Sequence, residues 1–261
     1  MIYVTGDCHS NFRKFNTKNF PEQKELTKDD YIIICGDFGG IWDNDINSKE
    51  EKYNMDLLES RSFTTLFIDG NHENFDRLNA LPVKEWHGGL VHEIRPTVLH
   101  LMRGQIYDIN GKKCFTFGGA RSHDISGGIL DKDDPDFRVK KKKLDREWIS
   151  YRINHISWWK EEEPSQVEMN LGIKNLKDND WTVDYVFTHE CPTSIIKSMY
   201  SFPYELTDYL ESIKQKLTYE NWFFGHHHDN RIIDNKDIML YENIINIESL
   251  KTKINEIDYE R

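Results

Sequence analysis

Five short islands of metal-ligating residue types constrain this chain more than any other feature: Gly6-Asp7-Cys8-His9, Gly36-Asp37, Gly70-Asn71-His72-Glu73, Thr188-His189 and Gly225-His226-His227-His228. Each follows an apolar run, where a buried strand ends and its side chains can meet those of its neighbours. A fold that honours all five must bring those strand ends to one place. A mixed set of carboxylate, carboxamide and imidazole groups suits divalent transition metals better than calcium or magnesium, which prefer all-oxygen shells. Two such ions are expected, with manganese favoured and iron, zinc, nickel or cobalt as alternatives. Cations about 3.5 to 4 Å apart need an anionic group between them, and Asp37 is the natural bridge.

The apolar runs also predict the elements. Ile2–Thr5, Tyr31–Cys35 and 65–68 read as strands, separated by a polar segment to Pro21 and an amphipathic stretch over 49–60. Such alternation implies parallel crossovers with the site in the loops at the carboxyl ends of the strands. Residues 90–94, 98–102, 105–109 and 113–117 read as shorter strands. With Asn110-Gly111 as a hairpin turn, this region is expected to be antiparallel. His87-Gly88-Gly89 reads as a turn. Residues 183–187 and 222–224 are strands that deliver His189 and His226. Between them, 193–217 gives two short helices interrupted at Pro203, and 237–247 adds edge strands. Alternation in extended chain would put His226 and His228 on one face and turn His227 away as a structural residue.

Residues 120–176 are the least regular, and are expected to form a helical insertion or lid on a single domain spanning 1–261. They hold the lysine run 140–143 together with Trp148, Trp158 and Trp159. The simplest reading is a solvated lysine face and tryptophans packed in the core. The alternative is a lid that stacks on a base and attracts phosphate.

Composition excludes some classes. A net charge of -11 argues against a general nucleic-acid coat protein, because phosphate-backbone affinity comes from Lys and Arg. No stretch approaches the roughly 18 to 20 apolar residues that span a bilayer, and strand-like Ile2–Thr5 stands where a leader would be, so the chain is expected to be cytoplasmic. Cysteines 8, 35, 114 and 191 lack CxxC spacing and read as packing residues in a reducing compartment.

Taken in order, the islands resemble the signature of the calcineurin-like metallophosphoesterases: D-x-H, G-D, G-N-H-[D/E], a lone His, and G-H-x-H. The resemblance implies an α/β fold, a sandwich of two mixed β-sheets flanked by helices. It implies that Asp7, His9, Asp37 and His228 hold one metal, and Asp37, Asn71, His189 and His226 the other. It also implies hydrolysis of a phosphate ester by a hydroxide held between the metals, with His72 over the phosphate as a catalytic group and not a ligand. Arg77, Arg121 and His123 are candidates for contact with the substrate phosphate. Protein phosphatases continue the second motif as G-D-x-V-D-R-G, whereas this chain has Gly36-Asp37-Phe38-Gly39-Gly40-Ile41-Trp42. That departure favours a small or nucleotide-like phosphodiester or monoester over a phosphoprotein. A protein phosphatase, a nuclease and a scaffold without catalysis are the competing readings.

Overall fold

The computed structural model describes residues 1–199 and 202–250. In chain order the elements are β1 (Ile2–Thr5), β2 (Tyr31–Cys35), α1 (Lys49–Glu59), β3 (Thr64–Ile68), α2 (Phe75–Leu78), β4 (Val83–Trp86), β5 (Gly89–Arg95), β6 (Val98–Leu101), β7 (Gln105–Ile109) and β8 (Lys112–Phe117). Then follow β9 (Ile129–Leu130), α3 (Phe137–Glu147), β10 (Arg152–Ile153), α4 (Gln166–Asp178), β11 (Tyr185–Thr188), α5 (Thr193–Ser198), α6 (Glu205–Lys214), β12 (Asn221–Phe224), β13 (Arg231–Ile233), β14 (Asp237–Met239) and β15 (Ile245–Asn246).

Among the described residues two mixed sheets form, one ordered β15-β1-β2-β3-β6-β5-β4 and the other β13-β14-β12-β11-β8-β7. Their central strands, β1, β2 and β3 in the first and β8, β11 and β12 in the second, run parallel to one another. Parallel strands covered on both faces read as unbroken apolar runs, which is why Tyr31–Cys35 is buried at every position. The two faces feed different cores. Val4, Ile33, Leu66, Tyr185, Phe187 and Phe223 pack between the sheets. Ile32, Ile34 and Phe67 face outward against Met55 and Leu58 of α1, and Val186, Trp222 and Phe224 face α4, α5 and α6. The result is a four-layer α/β/β/α sandwich, as the family resemblance implies.

Helix α1 is set by its own residues: the Ser48 hydroxyl accepts from the Glu51 N–H, and Glu50 and Glu51 complement the helix dipole in the first turn. Among the described residues no helix is long and apolar enough to cross a membrane.

Several expectations change on contact with the structure. Residues 90–117 are not one antiparallel unit. The β4-β5-β6 meander and the β7-β8 hairpin are antiparallel, but β6 pairs parallel with β3 and β8 with β11. The chain therefore leaves one sheet for the other between β6 and β7. Strand β4 went unforeseen because it is mostly exposed and has no apolar alternation; His87-Gly88 is the turn that joins it to Gly89, the first residue of β5. Only 3-10 turns, Phe12–Phe15 and Pro21–Glu25, stand between β1 and β2. Strand β14 lies inside β13, so of the expected edge strands only β15 is at an edge. Residues 120–176 hold α3 and most of α4, and a short parallel pairing of β9 with β10 brackets α3. Trp159 is buried, whereas Trp148 is 94% exposed at the left-handed C-terminal cap of α3 and packs in no core.

Candidate metal centre

The five islands meet at the carboxyl ends of β1, β2, β3, β11 and β12. Asp7, His9 and His228 place ligand atoms within 4.8 Å of one another, as do Asp37, His189 and His226, and as do His9, Asp37 and His72. His228 Nε2 lies 3.1 Å from Asp7 Oδ2, and His9 Nε2 lies 3.7 Å from both Asp7 and Asp37. On the other side His189 Nε2 is 3.3 Å from Asp37 Oδ1 and 3.3 Å from Asn71 Oδ1. Asp37 thus faces both groups. The carbonyl of Cys35 accepts from His189 Nδ1 at 2.8 Å, which turns Nε2 toward the carboxylates.

The backbone is forced into place here. His9, Asp37, His226 and His228 all have positive φ, between 44° and 68°, a region that non-glycine residues enter rarely and at a cost of order 1 to 3 kcal/mol each. The expected alternation at 226–228 is therefore not what separates the histidines. The segment is a bend, with His226 and His228 left-handed, and His227 turns to Glu190 Oε1 at 3.0 Å. The glycine before each ligand also has a packing reason. A Cβ on Gly225 would lie 2.2 Å from Asp7 Oδ1, and one on Gly36, itself at φ +88°, would lie 2.1 Å from His189 Nδ1. Gly225→Ala should push Asp7 out of position and remove most of the bound manganese measured by elemental analysis. Retention of wild-type metal content would overturn this account of the glycine.

Charge explains what the centre attracts. Burial opposes ionisation of Asp37, but His189 and His72 outweigh it and hold the carboxyl well below its usual range. Burial likewise opposes an imidazolium at His189, yet Asp37 and Asp7 raise its pKa to about 10. Burial pushes His226 down to about 3 despite Glu190, so its ring stays neutral with a lone pair to give. One oxygen tests the fit to metal directly: Asp7 Oδ2 is buried and makes no hydrogen bond of acceptable geometry, although His228 stands near. A buried carboxylate oxygen left in this way calls for a cation, and the surrounding donors are those a transition metal prefers. The residues fit the group.

The substrate candidates divide. His123 Nε2 lies 2.9 Å from His226 Nε2, at the mouth of the centre. Arg77 is instead taken up by Glu51 at 2.7 Å. Arg121 pairs with Glu163 at 2.7 Å and stacks on Tyr204. The arginine that does arrive is Arg152, on β10, whose Nη2 donates to His72 Nε2 at 2.9 Å. A guanidinium only donates, so Nε2 accepts and Nδ1 carries the ring proton, donated to Asp37 Oδ2 at 2.8 Å. Asp124 holds Arg152 from behind. Nothing local in the sequence marks Arg152, which lies 80 residues from His72.

Glu190 was also missed, although it adjoins His189. Its buried carboxylate accepts from His227, from the Cys191 N–H and from Tyr204 Oη. Glu190, Cys191 and His227 form a further close group of donor atoms, but they are bonded to one another and Cys191 is pushed up by burial, so its thiol stays protonated. All four cysteines are buried and unpaired, in keeping with packing roles.

A four-layer α/β/β/α sandwich with Asp, Asn and His gathered at its strand ends has the architecture of the metallophosphoesterases. A sequence model of that class, calcineurin-like phosphoesterase, matches residues 1–230, and the chain belongs to this family. Two curated relatives are similar to it: lariat debranching enzyme A of Xenopus laevis, 26% identical over 74% of this chain and 33% of its own length, and lariat debranching enzyme of Danio rerio, 22% identical over 74% and 31%. The chain spans about a third of the length of these relatives.

Proposed function

We propose that the protein is a metal-dependent phosphoesterase that hydrolyses a small or nucleotide-like phosphodiester or monoester. One observation carries this reading: Asp7, His9, Asp37, Asn71, His189, His226 and His228 converge, with Asp37 facing both halves, directly beside the His72–Arg152 pair. The first seven would hold two divalent ions, manganese being the first choice, and Asp37 would serve both. Bound metal would supply Lewis-acid activation of water and of the phosphate.

The chain's own groups do the rest. Arg152 presents donors where a phosphate oxygen would sit and compensates its charge. His72 is oriented through Nδ1 by Asp37; once the substrate draws Arg152 onto phosphate, Nε2 is free to take a proton from solvent and pass it to the departing oxygen. His123 stands at the rim, within reach of the same anion. Arg152→Ala should therefore raise KM for a phosphodiester about ten-fold or more with metal content unchanged, and added guanidinium should restore part of the loss. Asp124→Asn separates binding from scaffolding: an equal rise in KM there would make Arg152 a structural residue.

Turnover of bis-p-nitrophenyl phosphate beside p-nitrophenyl phosphate, with manganese, tests the reading. Activity on the diester assigns a phosphodiesterase, and activity on the monoester alone assigns a phosphatase. No turnover with manganese, iron, nickel or zinc would overturn the proposal in favour of a scaffold. The likeness to lariat debranching enzymes supports a second reading, a nucleic-acid ester, which predicts steeply salt-dependent affinity for RNA or DNA. The net charge of -11 weighs against it.

A further inference from the structure

A cavity of about 330 Å³ opens beside His9 and His72, between the loop after β1 and the start of α1. Trp42 forms its aromatic wall. The indole lies 5.7 Å from the His72 ring and is braced from behind, edge to face, by the fully buried Trp159 at 5.5 Å. Trp42 itself is only partly buried, so a ring face remains for a ligand.

The other walls are acidic. Asp43, Glu50 and Glu51 line the cavity, and no lysine or arginine does. Glu51 is spent: it pairs with Arg77 and accepts the N–H groups of Trp42 and Asp43. The Asp43 and Glu50 side chains are exposed, with no ion-pair partner among the described residues. The N-terminus of α1 opens here too, but its positive end is already answered by Glu50 and Glu51. One side of His72 thus offers the cation Arg152, and the other offers an indole between carboxylates without an ion-pair partner among the described residues.

We propose that this cavity is the subsite for an uncharged, planar aromatic group carried on the ester of the reacting phosphate, directly or through a sugar, and stacked on Trp42, and that Asp43 and Glu50 exclude groups bearing further negative charge. The proposal rests on the phosphoester reading, since it places the phosphate at His72. The substrate class it defines is a single phosphate ester carrying an aryl group or a nucleobase. Hydrogen-bond donors on the ring, such as exocyclic amines, fit the two carboxylates. A polyphosphate or a polynucleotide strand would bring like charge against them.

Calorimetric titration of the manganese-loaded full chain with diethyl phosphate, diphenyl phosphate and bis(p-carboxyphenyl) phosphate tests this without requiring turnover. Diphenyl phosphate should bind roughly ten- to hundred-fold more tightly than diethyl phosphate, the range expected for stacking on one aromatic side chain. The carboxylated diester should bind at least about ten-fold more weakly than diphenyl phosphate. Trp42→Ala should erase the phenyl preference and Trp42→Phe keep most of it, while Asp43→Asn combined with Glu50→Gln should readmit the carboxylated diester. No binding of diphenyl phosphate, equal affinity for the phenyl and ethyl esters, or unweakened binding of the carboxylated one overturns the subsite. Hydrolysis is scored separately. The expected binding order without turnover of any ester overturns the phosphoesterase reading alone, and turnover with indifferent binding overturns the subsite alone.

Discussion

Asp37→Asn should lower turnover of bis-p-nitrophenyl phosphate by about a thousand-fold or more and reduce bound manganese to one ion or none. Asp37 is the residue that faces both halves of the centre, with Oδ1 toward His189 and Oδ2 toward His9 and His72. Asparagine keeps the shape but removes the charge that would offset repulsion between two cations. A loss of about 4 kcal/mol of transition-state stabilisation corresponds to that thousand-fold. The comparison that gives the result meaning is His72→Ala. His72 lies outside the proposed ligand set, so its loss should cut kcat by about 10² to 10⁴ while both ions remain. Elemental analysis beside kinetics reads the two effects apart. Equal metal loss in the two variants would remove the division of labour between ligand and proton donor, and more than a tenth of wild-type activity in Asp37→Asn would remove the bridge.

The largest effect on stability is expected from Asp69→Ala. Asp69 follows β3, two residues before Asn71, and is fully buried. Its carboxylate accepts from Arg103 Nε at 2.8 Å and from His100 Nε2 at 3.0 Å. Arg103, on the connection where the chain passes from one sheet to the other, also reaches the Glu161 carbonyl and Glu168 of α4. Removing Asp69 would leave a buried guanidinium without its main counter-charge, which costs about 3 to 5 kcal/mol. For a chain of this size that is roughly 6 to 20 °C in Tm by calorimetry. Replacing Arg103 by Met in the Asp69→Ala background should recover much of the loss, because the cost lies in the stranded charge. No recovery would place the cost in packing instead.

The same pair sets an acid limit. Burial opposes the Asp69 charge, but Arg103 and His100 outweigh it and folding lowers its pKa below the ordinary 3.8. The unfolded chain therefore takes up the proton first. The contribution is complete above about pH 4 and fades as pH falls below it. Wild type should show this loss of Tm in acid, and Asp69→Ala should show less of it.

The sequence by itself determined the central strands and the residues at their ends. Tyr31–Cys35 and Tyr185–Thr188 could be read because central parallel strands are covered on both faces and so need apolar side chains at every position. Asp7, Asp37, Asn71, His189 and His226 could be placed in the loops that follow because position along a strand is local information. The hairpin at Asn110-Gly111 was legible for the same reason: a two-residue turn states its geometry in two residues.

What only the tertiary structure decided depends on which distant segments pack together. Pairing of β6 with β3 and of β8 with β11 is a choice among partners of similar apolar content, and no residue in β6 or β8 names the partner. The bend that turns His227 to Glu190 arises from left-handed backbone at His226 and His228, held by surrounding packing and not by local preference. Arg77 was plausible from its nearness to the Asn71-His72 island and Arg121 from the glycine loop that follows a strand, yet Glu51 and Glu163 claim them, while Arg152 crosses 80 residues to reach His72. A guanidinium at the end of a long side chain goes where an acceptor waits, and the fold alone fixes which acceptors lie within reach.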